Sequence, residues 1–270
     1  MIQINHDNCI RCGLCVHDCF PGALTMENNR PALSAPGNCI GCGHCIAVCP
    51  RAAVRDDSLN MDDMVLIRKD VTAGDLLGLM RSRRSCRHYR PDPVPEPVLQ
   101  ALLEAARACP TAKNLQATRY IAVTERIPAL LDAALEALGQ VGELQSKTAT
   151  APDELRRAGN FIRWRDLRRE DRSFDPMFFH APLLLMFVST AENARDAAGA
   201  AAYTELMAAA IGLGCLFSGY FTACAAGSQE IHRLLNLREN EQVVRCLVLG
   251  WPDIRFQRTA PRKQPDLTRM

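Results

Sequence analysis

The chain has 270 residues, 48% of them hydrophobic and 23% charged, enough apolar material for one large domain and a small one. Its formal net charge of +2 implies no general polyanion partner, so a broad nucleic-acid surface is not expected. It contains no run of about 18 apolar residues, and MIQINHDNCIRC has neither the basic head nor the apolar stretch of a secretory signal, so neither a membrane span nor export is expected.

Of thirteen cysteines, eight lie between Cys9 and Cys49. A disulfide scaffold belongs to short exported chains, so the clustered eight read as metal ligands in a reducing cytoplasm. CIRCGLCVHDC and CIGCGHCIAVCP form an internal repeat: Cys9, Cys12, Cys15 and Cys19 recur as Cys39, Cys42, Cys45 and Cys49, offset by 30 residues. A cubane iron–sulfur cluster needs thiolates converging from a tightly curling backbone. Three cysteines two residues apart supply the curl, and the fourth, on a following helical turn, reaches the other cluster. The expected sets are therefore crossed, Cys9, Cys12, Cys15 and Cys49 for one cluster and Cys39, Cys42, Cys45 and Cys19 for the other. Gly13, Gly41 and Gly43 suit a backbone that approaches sulfide closely. Structural zinc and disulfides are the competing readings; zinc sites favour paired groups with longer gaps.

Between the motifs, PGALTMENNRPALSAPGN reads as a hairpin with its turn at Glu27–Arg30, and the acidic RDDSLNMDDM that follows reads as the start of a linker. Residues 1–54 resemble the bacterial two-cluster ferredoxins. Pro50 follows the last cysteine directly, whereas Phe20 intervenes before Pro21 in the first motif. The expected division is a two-cluster ferredoxin-like domain at 1–58, a linker at 59–70 and a second domain at 71–270.

In that second part, Thr72 caps a helix through Arg81 with Leu76, Leu77 and Met80 on one face. Pro95 and Pro97 open another, lined by Leu99, Leu102, Leu103 and Ala106. Thr118–Glu125 reads as a strand, Ile127–Gly139 as a helix ending at its glycine, Leu183–Thr190 as a buried strand, Asn193–Leu213 as an Ala-rich helix and Val243–Trp251 as a buried strand. Gln140–His180 is polar, Arg-rich and weakly patterned, which suggests a functional segment such as a lid. Helices and strands without strict alternation indicate an α+β layered domain.

Five motifs in this part resemble the nitroreductase family of flavoproteins. RSRRSCRHYRPDPV, with five arginines among Arg81–Arg90, matches the Arg-Arg-Ser-x-Arg opening at Arg83, Arg84, Ser85 and Arg87. Guanidinium groups and a hydroxyl suit a phosphate, and a solvated basic face is the alternative. CPTAKNLQATRYIAV matches at Pro110, Thr111, Ala112, Asn114 and Gln116, whose amides can read a flavin's pyrimidine edge; a polar turn before a strand is the alternative. HAPLLLMFV matches at Ala181–Pro182, and His180 reads as a catalytic residue or as a boundary histidine with one hydrogen bond. In AAAIGLGCLFSGYF, Gly212 and Gly214 permit close approach and Cys215, Leu216, Phe217, Ser218 and Gly219 would offer amides to a flavin, against a plain helix C-cap. Cys215 itself reads as a buried thiol, as do Cys86, Cys109, Cys224 and Cys246. LGWPDIRFQRTAPRK matches the closing strand and tail, with Arg258, Arg262 and Lys263 as further phosphate candidates.

The family resemblance implies a mixed, mainly antiparallel sheet flanked by helices, bound FMN and a homodimer. With the small pseudo-symmetric ferredoxin domain it implies a cytoplasmic FMN oxidoreductase fed through two [4Fe–4S] clusters by an external donor, reduced ferredoxin or NAD(P)H, and acting on a small, planar organic acceptor. Arg163, Trp164 and Arg165 would favour a planar or anionic substrate, or form a solvated helix. No nucleotide-binding Gly-x-Gly-x-x-Gly or phosphate loop follows a strand. The alternatives are a flavoenzyme that fragments its substrate and a non-catalytic electron-relay or redox-sensing protein.

Overall fold

The computed structural model describes residues 1–68 and 70–270; Lys69, inside the expected linker, lies outside the described residues. The chain packs as two units, Met1–Asp70 with Thr111–Gln116, and Val71–Pro110 with Ala117–Met270.

The first unit contains β1 (Ile2–Ile4), α1 (Leu14–His17), β2 (Leu24–Glu27), β3 (Arg30–Leu33), α2 (His44–Ala47) and β4 (Val54–Asp56). β2 and β3 form the expected hairpin, turning through Asn28 and Asn29 at φ 48° and 60°, a left-handed pair that asparagine tolerates well. β1 pairs antiparallel with β4, Ile2 opposite Asp56. The first two residues of the acidic run, Arg55 and Asp56, are thus strand rather than connection. Ile2, Leu24, Ile46 and Val54 form a small core with Cys15 and Cys45.

The second unit contains α3 (Ala73–Ser82), α4 (Glu96–Arg107), β5 (Arg119–Val123), α5 (Ile127–Thr148), α6 (Pro152–Glu170), β6 (Leu183–Ser189), α7 (Ala194–Ile211), β7 (Gly214–Phe217), α8 (Gly219–Ala225), α9 (Gln229–Leu234) and β8 (Gln242–Gly250). α3 begins with a reciprocal cap between Thr72 and Asp75. The sheet runs β5-β6-β8-β7, every pair antiparallel. β6 is buried along its whole length, and alternation sends its side chains to two cores. Leu184, Met186 and Val188 pack with residues of α5, α8 and α9; Leu183, Leu185 and Phe187 pack with α4 and α7. A register shift at Phe187/Val188 lets Val243 and Val244 of β8 face opposite cores around it. Among the described residues no helix is long and apolar enough to cross a membrane.

Two expectations are corrected. The helix expected to stop at Gly139 continues to Thr148, and Gln140–His180 is not one irregular lid but the end of α5, all of α6 and a short return. The glycines serve helix packing rather than termination: a Cβ on Gly139 would stand 2.5 Å from Arg165 Cδ. The arginines that obscured α6 match acids on α5. Arg168 Nε donates to Asp132 at 2.8 Å and Arg169 Nη2 to Glu136 at 2.7 Å, while Arg165 Nη1 reaches Glu143. Asp132, Glu136 and Glu143 fall on one helical face, so the two polar stripes answer each other.

Candidate functional site

Each cysteine motif curls in the same way. Arg11 and Gly13 take left-handed φ of 59° and 74°, and Gly41 and Gly43 take 61° and 72°. The amides of Val16 and His17 then close on the Gly13 carbonyl, as those of Ile46 and Ala47 close on Gly43, starting α1 and α2. This curl turns successive thiols to one side. Cys9, Cys12 and Cys15 are brought together with Cys49 around one void, among Ile4, Leu14, Pro31 and Val54. Cys39, Cys42 and Cys45 are brought together with Cys19 around a second, among Ile2, Ala23, Leu24 and Leu33. Two amides point at sulfur, Arg11 N to Cys9 Sγ at 3.4 Å and Ala53 N to Cys49 Sγ at 3.2 Å. Among the described residues no three His, Cys, Asp or Glu side chains could share a single metal ion. A cubane does not ask for that, because its four irons take one thiolate each at separate corners. Four thiols spread about an apolar void fit such a group.

In the second unit the arginine motif is fastened along β7. Ser85 bridges Cys215 in parallel register, and Cys86 N donates to the Cys215 carbonyl at 3.0 Å. Farther on, Arg90 N donates to the Trp251 carbonyl at 2.8 Å and Asp253 N to the His88 carbonyl at 2.9 Å. The half-buried Tyr89 donates its hydroxyl at 2.9 Å to the Cys86 carbonyl and lies 3.1 Å from that of Val248. Arg83 and Arg84 consequently line a pocket of about 140 Å³ with Glu205, Gly214, Cys215 and Phe256. Arg83 Nη1 donates to Glu205 Oε1 at 2.8 Å. Ser85 and Arg87 are exposed beside this pocket and are not part of its lining. The tail contributes Pro252, Ile254 and Phe256 to it, and none of Arg258, Arg262 and Lys263, which are all exposed.

Gly212 ends α7 at φ 91°, and the chain enters β7 rather than a loop. The run Cys215–Gly219 is therefore divided. Cys215 lines the arginine pocket, while Phe217, Ser218 and Gly219 line a larger cavity of about 560 Å³ with Thr222 and Arg245; Leu216 lines neither. The Ser218 amide is committed to the Cys246 carbonyl at 2.9 Å. Gly214 is required by packing, since a Cβ there would stand 2.7 Å from Cys86 Sγ. Burial pushes the Cys215 thiol well above its ordinary range, so it is no thiolate nucleophile. Cys86, Cys109, Cys224 and Cys246 are buried too, and burial carries Cys224 up to about 12.

Pro110 precedes a loop, Thr111–Gln116, that packs with the first unit. Lys113, Asn114 and Gln116 all take left-handed φ, 51°, 52° and 48°. Gln116 N is held by Thr111 Oγ1 at 3.1 Å, Asn114 Nδ2 donates to the Gly41 carbonyl at 2.8 Å, and Ala112 is exposed. His180 is exposed, and its backbone amide donates to Asp175 at 2.8 Å. Arg165 is tied to Glu143 and Asp166, so it is not free for an anionic substrate. Trp164 instead joins Phe161 and Tyr220 in an aromatic trio in which Tyr220 packs edge-on against both, with Trp164 and Tyr220 centroids 5.8 Å apart. Sequence reading missed Glu205, one of two acids in an Ala-rich helix. It also missed Thr222 and Arg245, which carried no pattern.

The nitroreductase family model matches residues 80–251, and a 4Fe–4S dicluster domain model matches residues 1–50. One curated protein, named NADH dehydrogenase, from Thermus thermophilus, is 54% identical over 43 residues, 16% of this chain. The match spans only 21% of that relative's length. Among solved structures, a nitroreductase with bound FMN from Bacteroides fragilis aligns with TM-score 0.56 at 18% identity, covering 72% of this chain and 99% of that one. An FMN-dependent nitroreductase from Clostridium difficile aligns with TM-score 0.55 at 15% identity, covering 74% and 100%.

Proposed function

Because the chain belongs to the nitroreductase family and carries a 4Fe–4S ferredoxin-like domain at its N-terminus, we propose that it is an FMN-dependent oxidoreductase fed by two [4Fe–4S] clusters. The observation that carries this reading is the parting of eight thiols into two groups of four, each about its own void, ahead of a nitroreductase fold. Bound FMN would supply exchange between single-electron delivery and two-electron reduction of a substrate. Arg83 and Arg84 would hold its phosphate, with Glu205 fixing the Arg83 fork through its 2.8 Å contact. Fastening of the arginine segment to β7 orients those groups before a ligand arrives, which reduces the ordering cost of binding. An external low-potential donor, reduced ferredoxin or NAD(P)H, would load the clusters, and the acceptor would be small, organic and planar.

A homodimer is part of this reading. The apolar face of α3, with Leu76, Leu77 and Met80 at 43%, 45% and 40% exposure, is uncovered in the single chain and would be covered by a second copy. The deciding experiment is anaerobic reduction of the purified holoprotein by reduced ferredoxin and by NAD(P)H, followed by visible spectra. Bleaching of both the flavin and the broad iron–sulfur absorption supports the proposal. Absence of flavin, or clusters that stay oxidised with both donors, refutes it.

A further inference from the structure

The two cysteine loops are near copies in sequence and backbone, yet they are not equivalent in the fold. The repeat partner of Gly41 is Arg11, and the two residues share almost the same left-handed φ, 61° against 59°. Only the second of these positions receives the carboxamide of Asn114, whose Nδ2 donates to the Gly41 carbonyl at 2.8 Å. Asn114 stands on a segment continuous in sequence with α4 and β5, although Thr111–Gln116 packs with the first unit. The loop is also costly to form. Three of its six residues are non-glycine residues in left-handed conformation, which persists where surrounding contacts over-determine it.

Resting on the two-cluster reading above, we propose that the cluster held by Cys39, Cys42, Cys45 and Cys19 is the exit cluster, with Asn114 its positioning residue. A hydrogen bond onto the Gly41 carbonyl draws charge from the Gly41–Cys42 peptide, which is bonded directly to a ligand residue. Charge withdrawn beside a cluster favours its reduced, more negative level. Electrons loaded from a donor settle on the cluster with the higher midpoint, which makes it the one they leave from. Each transfer oxidises the cluster by one electron. Two such electrons, with protons drawn from solvent, reduce the flavin.

The test uses the full-length holoprotein and two variants, Asn114→Leu, which removes the donor at similar size without adding charge, and Asn114→Ala, which removes the side chain should the leucine disturb folding. Cluster midpoints are read by anaerobic redox titration with electron paramagnetic resonance, and signals are assigned with Cys42→Ser and Cys12→Ser. The expected result is a fall in the midpoint of the signal altered by Cys42→Ser alone, with a severalfold slower flavin reduction at unchanged FMN content. Unmoved midpoints, a shift in the signal altered by Cys12→Ser, or equal shifts in both would overturn the assignment. Failure of the underlying reading is separately visible, as wild-type protein without flavin absorbance or with far fewer than about eight irons per chain.

Discussion

Gly142 of α5 passes so close to Ala158 of α6 that a Cβ placed on it would stand 2.6 Å from the Ala158 carbonyl oxygen. The obstacle is backbone, which cannot swing aside as a side-chain end can. Gly142→Ala is therefore expected to destabilise the protein by about 1–3 kcal/mol through overpacking. Gly159→Ala, on α6 and open to solvent, has nothing within 4 Å of its added methyl. It should be neutral or stabilising by up to about 1 kcal/mol, because alanine is the better helix former. Denaturant midpoints of the two variants decide it; a tolerated Gly142→Ala would contradict the close packing.

Arg119 and Glu241 fasten the strand β5 to the turn before β8. Arg119 Nε donates to Glu241 Oε1 at 3.0 Å, and the Arg238 amide donates to Oε2 at 2.9 Å. The Arg119 hydrogen bond, helped by that amide, holds the Glu241 carboxyl below its usual range. Since the folded value is depressed, this stabilisation is complete above the unfolded value of about 4.3 and is lost as pH falls through the folded value. Glu241→Gln should cost about 1–2 kcal/mol at pH 7. The gap between wild type and variant should close as pH drops below about 4. Thermal melts at pH 7 and in acid check both the size and the direction.

The crossed sharing of cysteines makes a prediction that simple tandem sites do not. Cys19 follows the first motif in sequence but lines the void of the second, and Cys49 does the reverse. Cys19→Ser should perturb the same cluster signal as Cys42→Ser, and Cys49→Ser the same signal as Cys12→Ser. Spectra that instead grouped Cys19 with Cys12 would show uncrossed ligation.

Arg83 sits in the pocket with its carboxylate partner, and Arg81, two residues earlier, is exposed on the end of α3. Arg83→Gln is expected to weaken FMN retention by about tenfold or more, the loss of a charge-assisted contact worth about 1.5–3 kcal/mol. Arg81→Gln should leave it near wild type. Flavin absorbance of dialysed protein, with the fold checked by circular dichroism, provides the measurement. Equal retention in both variants would remove Arg83 from the phosphate site.

Much of this architecture was legible in the chain itself, and the legible parts share a cause. Thr72 and Asp75 cap α3, Asn28 and Asn29 turn the β2–β3 hairpin, and the continuous apolar run of β6 demanded burial on both faces. Each of these is settled by neighbours a few residues away. The cysteine spacing is the strongest such case, because the left-handed turns at residues 11, 13, 41 and 43 are local and place successive thiols on one side. Local signals misled at Gly139, where a residue that often ends helices lies inside one and leaves room for Arg165.

Sequence alone determined the two cysteine repeats, the apolar strands and the family-like arginine and glycine motifs, since these depend on spacing along the chain. Tertiary structure alone decided that α6 is a helix whose arginines answer the acids of α5, and that Glu205 faces Arg83. It also decided that Asn114 reaches Gly41 across 73 positions of sequence. Partners so distant leave no periodic trace, because what pairs them is the closing of the chain upon itself and not the propensity of either segment.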